Sequence, residues 1–277
     1  MNILDGKEVR KSILDNLKKE LNSIDKTLGL AVIQIGNDDA SNVYIKQKEK
    51  MTRELGYYFK HYKLDNDVEE NTVLALIDNL NNDDSIDGIL VQMPIPNHLD
   101  SNIIQNRIDH NKDVDGLTDI NAGKLVHNKA CLIPCTPLGI VEILKYYNIN
   151  IDGANIVVVG RSNLVGKPIS NLLTNYNATV TVCHSHTKNL ADYTKNADIL
   201  IVAVGKANFI TKDMVKNNSI IIDVGINRID NKLCGDVDYN EVINKVKYIT
   251  PVPGGVGQMT VAMLGYNILK AYKLKKE

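Results

Sequence analysis

Apolar positions in the first half of the chain fall into two alternating patterns. Some recur at helical spacing, which predicts helices, and others form short continuous runs, which predict buried strands. In chain order these patterns predict helix 9–21 with Asp5 as its cap, strand 28–35, helix 39–55, strand 57–64, helix 68–80 and strand 88–92. Helices that alternate with strands in this way are typical of a parallel sheet.

A second series of the same kind follows Pro137. It predicts helix 138–147, strand 156–159, helix 164–175, strands 179–183, 199–204 and 220–224, and a last helix from Thr260 to about Lys273. These strands are almost wholly apolar rather than alternating, which is typical of a sheet covered on both faces. We therefore expect an α/β protein of two domains. The predicted domains are 1–136, on which a C-terminal helix 260–277 packs back, and 137–259.

The composition narrows the class of protein. Hydrophobic residues make up 44% and charged residues 23%, and the net charge of −1 gives no reason to expect a nucleic-acid partner. The longest apolar runs, such as 199–204, are too short to span a membrane, and the first residues are too polar for a secretory signal. We therefore expect a cytoplasmic protein with no membrane partner.

Neither the cysteines nor the acidic residues predict a metal site. The cysteines lack the spacing of a zinc site, so we expect free thiols at Cys131, Cys135, Cys183 and Cys234. The stretch from Asp113 to Gly116 resembles part of a calcium loop, but it lacks the downstream glutamate. No metal is expected.

The stretch from Thr250 to Thr260 contains two prolines and three glycines, which cannot continue a helix or a central strand. One interpretation is a rigid turn before the final helix. The other is a loop whose backbone N–H groups meet a flat ligand, because glycine permits a close approach of the backbone.

A candidate dinucleotide site begins where strand 156–159 runs into Gly160-Arg161-Ser162. A tight turn before a helix can hold a phosphate, although Gly-x-Gly-x-x-Gly is absent and a structural turn is the alternative. After the next strand, residues 184–188 contain no carboxylate, whereas NAD-binding proteins usually have one there. Arg161 and Ser185 therefore indicate the 2′-phosphate of NADP, and His184 and His186 are also consistent with an ordinary solvated loop.

Three further positions suggest a reaction centre. Tyr44 and Lys48 are four residues apart, so one helix face could present an aromatic ring beside an amine that moves protons. For that role the lysine pKa must fall, which burial and repulsion from Lys46 and Lys50 could achieve. An exposed tyrosine beside a solvated lysine is the simpler alternative. Gln92 ends a buried strand, where it could face a ligand or bond only to loop backbone, and Asp115 lies in a turn that could aim its carboxylate at a ligand.

The order of these motifs resembles that of a known family. They are Tyr44-Ile45-Lys46-Gln47-Lys48, Gly88 to Pro94, Lys112 to Gly116, Ile133 to Pro137, Gly160-Arg161-Ser162 and Thr250 to Thr260. From Asp5 to Leu269 the chain resembles the bifunctional methylenetetrahydrofolate dehydrogenase/methenyltetrahydrofolate cyclohydrolase family. Each motif alone is modest, but their shared order and spacing are highly specific.

The resemblance implies a folate-binding domain and a Rossmann-type NADP-binding domain with a cleft between them. It implies oxidation of methylenetetrahydrofolate by NADP, then hydrolysis of the methenyl product to 10-formyltetrahydrofolate, by a homodimer that pairs through its Rossmann domain. Lys48 would be the acid/base of hydrolysis, positioned by Gln92, while Tyr44 stacks on the folate and Asp115 binds the pterin. The dinucleotide would contact Gly160, Arg161, Ser162, Ser185 and Ile226. The remaining substrate-binding residues implied are Val91, Met93, Pro253, Gly254, Gly255, Val256, Gly257 and Thr260.

One position departs from the family pattern, because Gln258 stands where proline is common. Glutamine restores an N–H and frees φ, so we expect a more mobile loop and a modest effect on the Michaelis constant. Two rival functions remain. One is another two-domain NADP oxidoreductase resembling shikimate dehydrogenase, and the other is a folate- or nucleotide-binding regulator without turnover.

Overall fold

A computed structural model describes residues 3–230 and 232–276. The chain divides into two compact units. One contains the described residues up to Ser12 together with Thr136–Thr260, and the other contains Ile13–Cys135 together with the described residues from Val261 onward. We refer to them as the 136–260 unit and the 13–135 unit.

The elements follow one another in the alternating order that the sequence predicts. The α-helices are α1 Gly6–Leu21, α2 Asp39–Leu55, α3 Glu70–Asn81, α4 Ser101–Arg107, α5 Asp119–Val126, α6 Cys135–Tyr146, α7 Gly166–Asn175, α8 Leu190–Thr194, α9 Tyr239–Val242 and α10 Met259–Leu274. The strands are β1 Gly29–Ile35, β2 Tyr58–Leu64, β3 Gly88–Gln92, β4 Asn155–Val159, β5 Thr179–Cys183, β6 Ile199–Val202, β7 Ile220–Asp223, β8 Asn227–Ile229, β9 Lys232–Cys234 and β10 Tyr248–Ile249.

The 13–135 unit is built on a three-stranded parallel sheet in the order β2-β1-β3. Every residue of the central strand β1 is buried, and apolar side chains from β1, β3, α3 and α4 form one core beside it. Helix α2 begins where the Asp38 carboxylate accepts the Ser41 N–H at 2.7 Å and ends at Gly56, whose φ is 72°. The sheet thus places the ends of β1 and β3 at one edge, where α/β proteins bind ligands.

The 136–260 unit contains a five-stranded parallel sheet in the order β10-β7-β6-β4-β5. The order along the chain reverses between β4 and β6, which makes this gap the topological switch point where doubly wound sheets bind nucleotides. An antiparallel hairpin, β8–β9, follows β7. The predicted α/β class, with parallel sheets in two units, is confirmed.

The first residues of the chain differ from the predicted domain assignment, which places them with 13–136. Leu4 donates its backbone N–H to the Ile249 carbonyl at 2.9 Å, and Gly6 donates to the Gly254 carbonyl at 2.9 Å. Residues 3–6 therefore pair with β10 and the segment that follows it, and the division between the units falls within α1.

No helix within residues 3–230 and 232–276 is long and apolar enough to cross a membrane.

Candidate active site

Lys48 belongs to the buried face of α2, which also carries Ser41, Ile45, Met51, Thr52 and Leu55. Only 8% of Lys48 is exposed, and its Nζ donates a hydrogen bond of 2.7 Å to Oε1 of Gln92 at the end of β3. The Gln92 amide in turn donates to the Met93 carbonyl at 2.7 Å, which fixes the orientation of its oxygen toward Lys48. The structure thus brings Lys48 and Gln92 together across two elements.

Burial lowers the pKa of Lys48, and the nearby Asp115 and Cys135 oppose that shift. Lys46 and Lys50, which we expected to repel it, are not buried and are not among the groups that shift this pKa. Burial, rather than neighbouring positive charge, therefore makes the neutral amine accessible at lower pH than for a solvated lysine.

The turn that carries Asp115 separates two carboxylates with different roles. Asp113 is fully buried and accepts hydrogen bonds from the Thr118 N–H at 2.8 Å, the Asn121 amide at 3.0 Å and the Gln105 amide at 3.2 Å. Asp115 is half-buried; burial raises its pKa, and the Lys48 charge opposes the rise. Asp115 is therefore the carboxylate of this turn that can act beside Lys48.

Gly116 makes this turn possible. Its φ is +69°, and a Cβ there would lie 2.6 Å from the backbone nitrogen of Pro134. Any other residue would be strained and would push away the backbone at Ile133 and Pro134.

Two groups beside Asp115 were not predicted from the sequence as site residues. Cys135 is buried with its Sγ 3.5 Å from the Val114 carbonyl, and burial raises its pKa well above the usual value. The amide of Asn267, on α10, donates to the carbonyls of Val114 and Ile133, both at 2.8 Å. A single asparagine within the apolar stretch of α10 is the signal that could have indicated this contact, because a buried amide needs partners.

Tyr44 and Lys48 do not share one environment, although they are one turn apart on α2. Tyr44 is 42% exposed, whereas Lys48 is buried. Four residues rotate the helix by slightly more than one turn, so Tyr44 lies beside the buried face rather than on it. Its ring is accessible for stacking. Of the neighbouring predicted residues, Met93 is exposed and Val91 is buried.

The 136–260 unit contains the predicted strand, turn and helix. At Gly160, which follows β4, φ is +129°, and a Cβ would lie 2.3 Å from the Ala203 carbonyl oxygen. A Cβ at Gly166, the first residue of α7, would lie 2.3 Å from the Gly160 carbonyl oxygen. Both glycines are required because backbone meets backbone here, at the switch point between β4 and β6.

Exposed side chains surround this turn. Arg161, Ser162 and Ser185 are all exposed, and the Ser162 Oγ accepts the Val165 N–H at 3.2 Å. Ile226, which lies in the short link between β7 and β8, is an exposed apolar side chain at the same edge of the parallel sheet. The predicted dinucleotide residues thus follow β4, β5 and β7 at their carboxyl ends, and the narrow backbone turn fits a phosphate.

Backbone conformation and a backbone hydrogen bond constrain the loop from Thr250 to Thr260. Gly254 has a φ of +113°, and residues Val256–Gln258 form a 3-10 helix. Gln258 donates its N–H to the Gly255 carbonyl at 3.0 Å, so the donor that proline would lack is used within the loop. Pro253 and Gly257 are exposed, Gly254 and Thr260 are half-buried, and Gly255 and Val256 are buried.

Within residues 3–230 and 232–276, no group of three or more His, Cys, Asp or Glu side chains is arranged to hold a metal ion.

Two family models match the chain. The catalytic domain of tetrahydrofolate dehydrogenase/cyclohydrolase matches residues 4–115, and the NAD(P)-binding domain of the same family matches residues 134–276. The bifunctional protein FolD of Agathobacter rectalis is 51% identical over 277 residues, which cover 98% of this chain and 99% of that protein.

Solved structures agree with this match. The bifunctional FolD methylenetetrahydrofolate dehydrogenase/cyclohydrolase of Campylobacter jejuni is 46% identical, with a TM-score of 0.96 and 99% of each chain covered. The dehydrogenase-cyclohydrolase of Trypanosoma brucei, complexed with NADP and an inhibitor, is 32% identical, with a TM-score of 0.92 over 99% of this chain and 98% of that chain.

The rival assignment to the shikimate dehydrogenase type receives much weaker support. Shikimate 5-dehydrogenase of Thermus thermophilus is 10% identical, with a TM-score of 0.54 over 88% of this chain and 100% of that chain, and this shows a shared fold alone. The chain therefore belongs to the tetrahydrofolate dehydrogenase/cyclohydrolase family, as its motifs predicted, and is an enzyme with the two activities in that family's name.

Proposed function

We propose that this protein oxidises methylenetetrahydrofolate with NADP and hydrolyses the methenyltetrahydrofolate that results to 10-formyltetrahydrofolate. In the first step the one-carbon bridge loses a hydride and becomes a methenyl cation. In the second step water adds to that carbon, a proton is released, and the bond from the carbon to one ring nitrogen breaks. The observation that carries the proposal is the 2.7 Å hydrogen bond between the buried Lys48 amine and Gln92.

Lys48 manages protons in the hydrolytic step. Because burial lowers its pKa, a neutral amine can accept a proton from the attacking water. The ammonium that forms can return the proton to the ring nitrogen as its bond to carbon breaks. Gln92 accepts a hydrogen bond from the Lys48 Nζ and so keeps the amine in one place during both transfers.

NADP, when bound, supplies the hydride acceptor. The turn at Gly160 and the start of α7 would hold its phosphates, with Ser162 beside them. Ile226 would contact an apolar face of the dinucleotide. Arg161 and Ser185 would bind the 2′-phosphate, since residues 184–188 contain no carboxylate to repel it. Hydride transfer needs alignment of the two reactants rather than a base, so these residues act by positioning.

The folate would be held by residues around Lys48. The exposed ring of Tyr44 would stack on the planar substrate, and Asp115 would accept hydrogen bonds from adjacent N–H groups of the pterin. Val91 and Met93, at the end of β3, would contact the same molecule. We further propose that the substrate contacts Pro253, Gly254, Gly255, Val256, Gly257 and Thr260.

The proposal extends to assembly and location. The strand β5 is at the edge of the five-stranded sheet, where it pairs with β4, and Val182 on it is 40% exposed. An edge strand with an exposed apolar side chain favours pairing with a second copy. A homodimer formed through the 136–260 unit, acting on folates in the cytoplasm, is the state we propose.

The test is a coupled assay with methylenetetrahydrofolate and either NADP or NAD, on the parent, on Lys48→Ala and on Lys50→Ala. Lys50 is the matched control because it is a lysine two positions away on the same helix, outside its buried face. We expect Lys48→Ala to lose at least about 100-fold in hydrolysis while it still binds NADP, and Lys50→Ala to behave like the parent. The parent should prefer NADP.

Three results would contradict parts of the proposal. Unchanged hydrolysis in Lys48→Ala would remove that residue from the mechanism. A parent protein that binds folate without any turnover would favour the regulator instead. Equal use of NAD would refute the roles of Arg161 and Ser185.

A further inference from the structure

Asp236, which follows the β8–β9 hairpin, is fully buried, and each of its carboxylate oxygens accepts two hydrogen bonds. Its Oδ2 accepts the N–H groups of Val204 at 2.6 Å and Gly205 at 2.9 Å. Its Oδ1 accepts the Lys206 N–H at 2.8 Å and the Asn227 side-chain amide at 2.8 Å. One carboxylate thus fixes three consecutive residues after β6 and the residue that follows Ile226.

A second buried carboxylate, Asp223, holds Asp236 in place. Asp223 is 3% exposed, and its Oδ1 accepts the N–H groups of Asp236 at 2.9 Å and Gly225 at 3.0 Å, while its Oδ2 accepts that of Val237 at 3.0 Å. Burial raises the pKa of Asp223 to about 6, against the lowering effect of these three donors. At neutral pH the group is therefore mainly a carboxylate, and both oxygens can accept.

Two glycines are needed for the carboxylates to lie where they do. A Cβ at Gly225 would lie 2.2 Å from the Asp236 carboxyl carbon, and one at Gly235 would lie 1.8 Å from the Asp223 Oδ2. A side chain at either glycine would displace a carboxylate from its donors. The arrangement therefore allows little freedom in the two loops that it joins.

These loops are next to the dinucleotide turn. Residues 204–206 follow β6, and β6 is paired with β4. Ala203, which precedes them, is the residue whose carbonyl oxygen would meet a Cβ at Gly160. Residues 225–227 follow β7, the next strand, and include the exposed Ile226. The carboxylates thus set the distance between the backbone segments that follow β6 and β7, and the first of these begins beside the turn at Gly160.

We propose that Asp236, held by Asp223, is a positioning residue for the dinucleotide, which fixes the loops after β6 and β7 in the spacing that binding needs. The inference rests on the proposed function of this edge as the NADP site. Because Asp236 itself is buried behind the loops, it acts through their backbone and touches no ligand.

Asp236→Asn tests this inference with little change in shape. An amide nitrogen at either oxygen position would face two hydrogen-bond donors, so at least two bonds are lost in either orientation. We expect the Michaelis constant for NADP to rise about tenfold, with kcat at saturating NADP changed by no more than about twofold. Hydrolysis of methenyltetrahydrofolate, assayed without dinucleotide, should equal that of the parent.

Asp198→Asn is the matched control. Asp198 also accepts a backbone N–H, that of Asn155 at 3.1 Å. Because it precedes β6, it lies at the amino ends of the parallel strands, and the dinucleotide turn lies at their carboxyl ends. Its substitution should leave the Michaelis constant for NADP unchanged.

A second variant, Asn227→Ala, removes one hydrogen-bond donor from Asp236 at a half-buried position. We expect its Michaelis constant for NADP to rise about threefold. This variant decides the matter if Asp236→Asn does not fold.

The outcomes separate the inference from the function on which it rests. An unchanged Michaelis constant for NADP in the folded variants, or an equal loss of both activities, would overturn the positioning role. If the parent lacks dehydrogenase activity, the proposed function fails, and calorimetric titration with NADPH then tests the inference alone. A parent that binds NADPH at least about threefold more tightly than Asn227→Ala supports it, and equal affinities refute it.

Discussion

Lys48 belongs to the buried face of α2, and two opposing effects act on its pKa. Burial lowers the lysine pKa because water no longer stabilises the ammonium. Asp115 works in the other direction, because a carboxylate favours the charged amine. The balance between these two effects sets the pH at which the amine can accept a proton.

Removal of the Asp115 charge should shift that pH downward. In Asp115→Asn, burial of Lys48 is no longer opposed by a neighbouring carboxylate, so its pKa falls further. We expect the ascending limb of the hydrolysis rate against pH, measured at saturating methenyltetrahydrofolate, to move to lower pH than in the parent. Asp119→Asn, which alters an exposed carboxylate at the start of α5, should leave the profile in place. A limb that moves to higher pH would show that Asp115 does not act on Lys48 through its charge.

Elements with a helical period or a continuous apolar run were predictable, and elements without either pattern were not. The bounds predicted for α2 and β3 match the structure, because the Asp38 cap, Gly56 and a clear buried pattern mark them. The five-residue α8 and the three-residue strands β8 and β9 are too short to show a period. Helix α4 was not predicted, although Asp100 is a recognisable N-cap residue. In the structure its side chain accepts the N–H groups of Asn102 and Ile103.

Gln258, which stands where proline is common in the family, is the last residue of the 3-10 helix Val256–Gln258. The Gln258 N–H closes this turn by donating to the Gly255 carbonyl at 3.0 Å, which proline cannot do. In Gln258→Pro the lost bond, about 1 kcal/mol, is offset in part by the lower entropy of the unfolded chain. We expect the Michaelis constant for methylenetetrahydrofolate to change by no more than about fivefold, with turnover preserved. Steady-state kinetics would check this, and a large loss of turnover would show that the loop cannot accept proline.

At the scale of the whole molecule, the sequence predicted the local signals of the site better than its long-range support. Lys48, Gln92 and Asp115 each lie in a recognisable motif, and the structure places Lys48 against Gln92 and Asp115 close enough to shift its pKa. Asp236 carries no comparable signal, because its main partners are backbone N–H groups about thirty residues earlier in the chain. The pairing of Leu4 with the chain near β10 was equally invisible, since no periodic pattern reports a contact over that separation.

The proposed homodimer makes a prediction about mass. In sedimentation velocity at micromolar concentration we expect a species of twice the 30.7 kDa chain mass. Val182→Asp places a charge on the edge strand β5 and should shift the protein toward the monomer. Val126→Asp, at an exposed valine of the 13–135 unit, should leave the dimer intact. A parent that sediments as a monomer at every concentration would refute the proposed assembly.

The anchoring of Gly6 to Gly254 has a practical consequence for work with this enzyme. A Cβ at Gly6 would lie 2.1 Å from the Gly255 carbonyl oxygen, so the start of α1 is packed directly on the glycine-rich loop. An affinity tag fused ahead of Ile3 would emerge within a few residues of this contact. We therefore expect kinetic constants obtained with such a tag to differ from those of the protein after the tag has been cleaved.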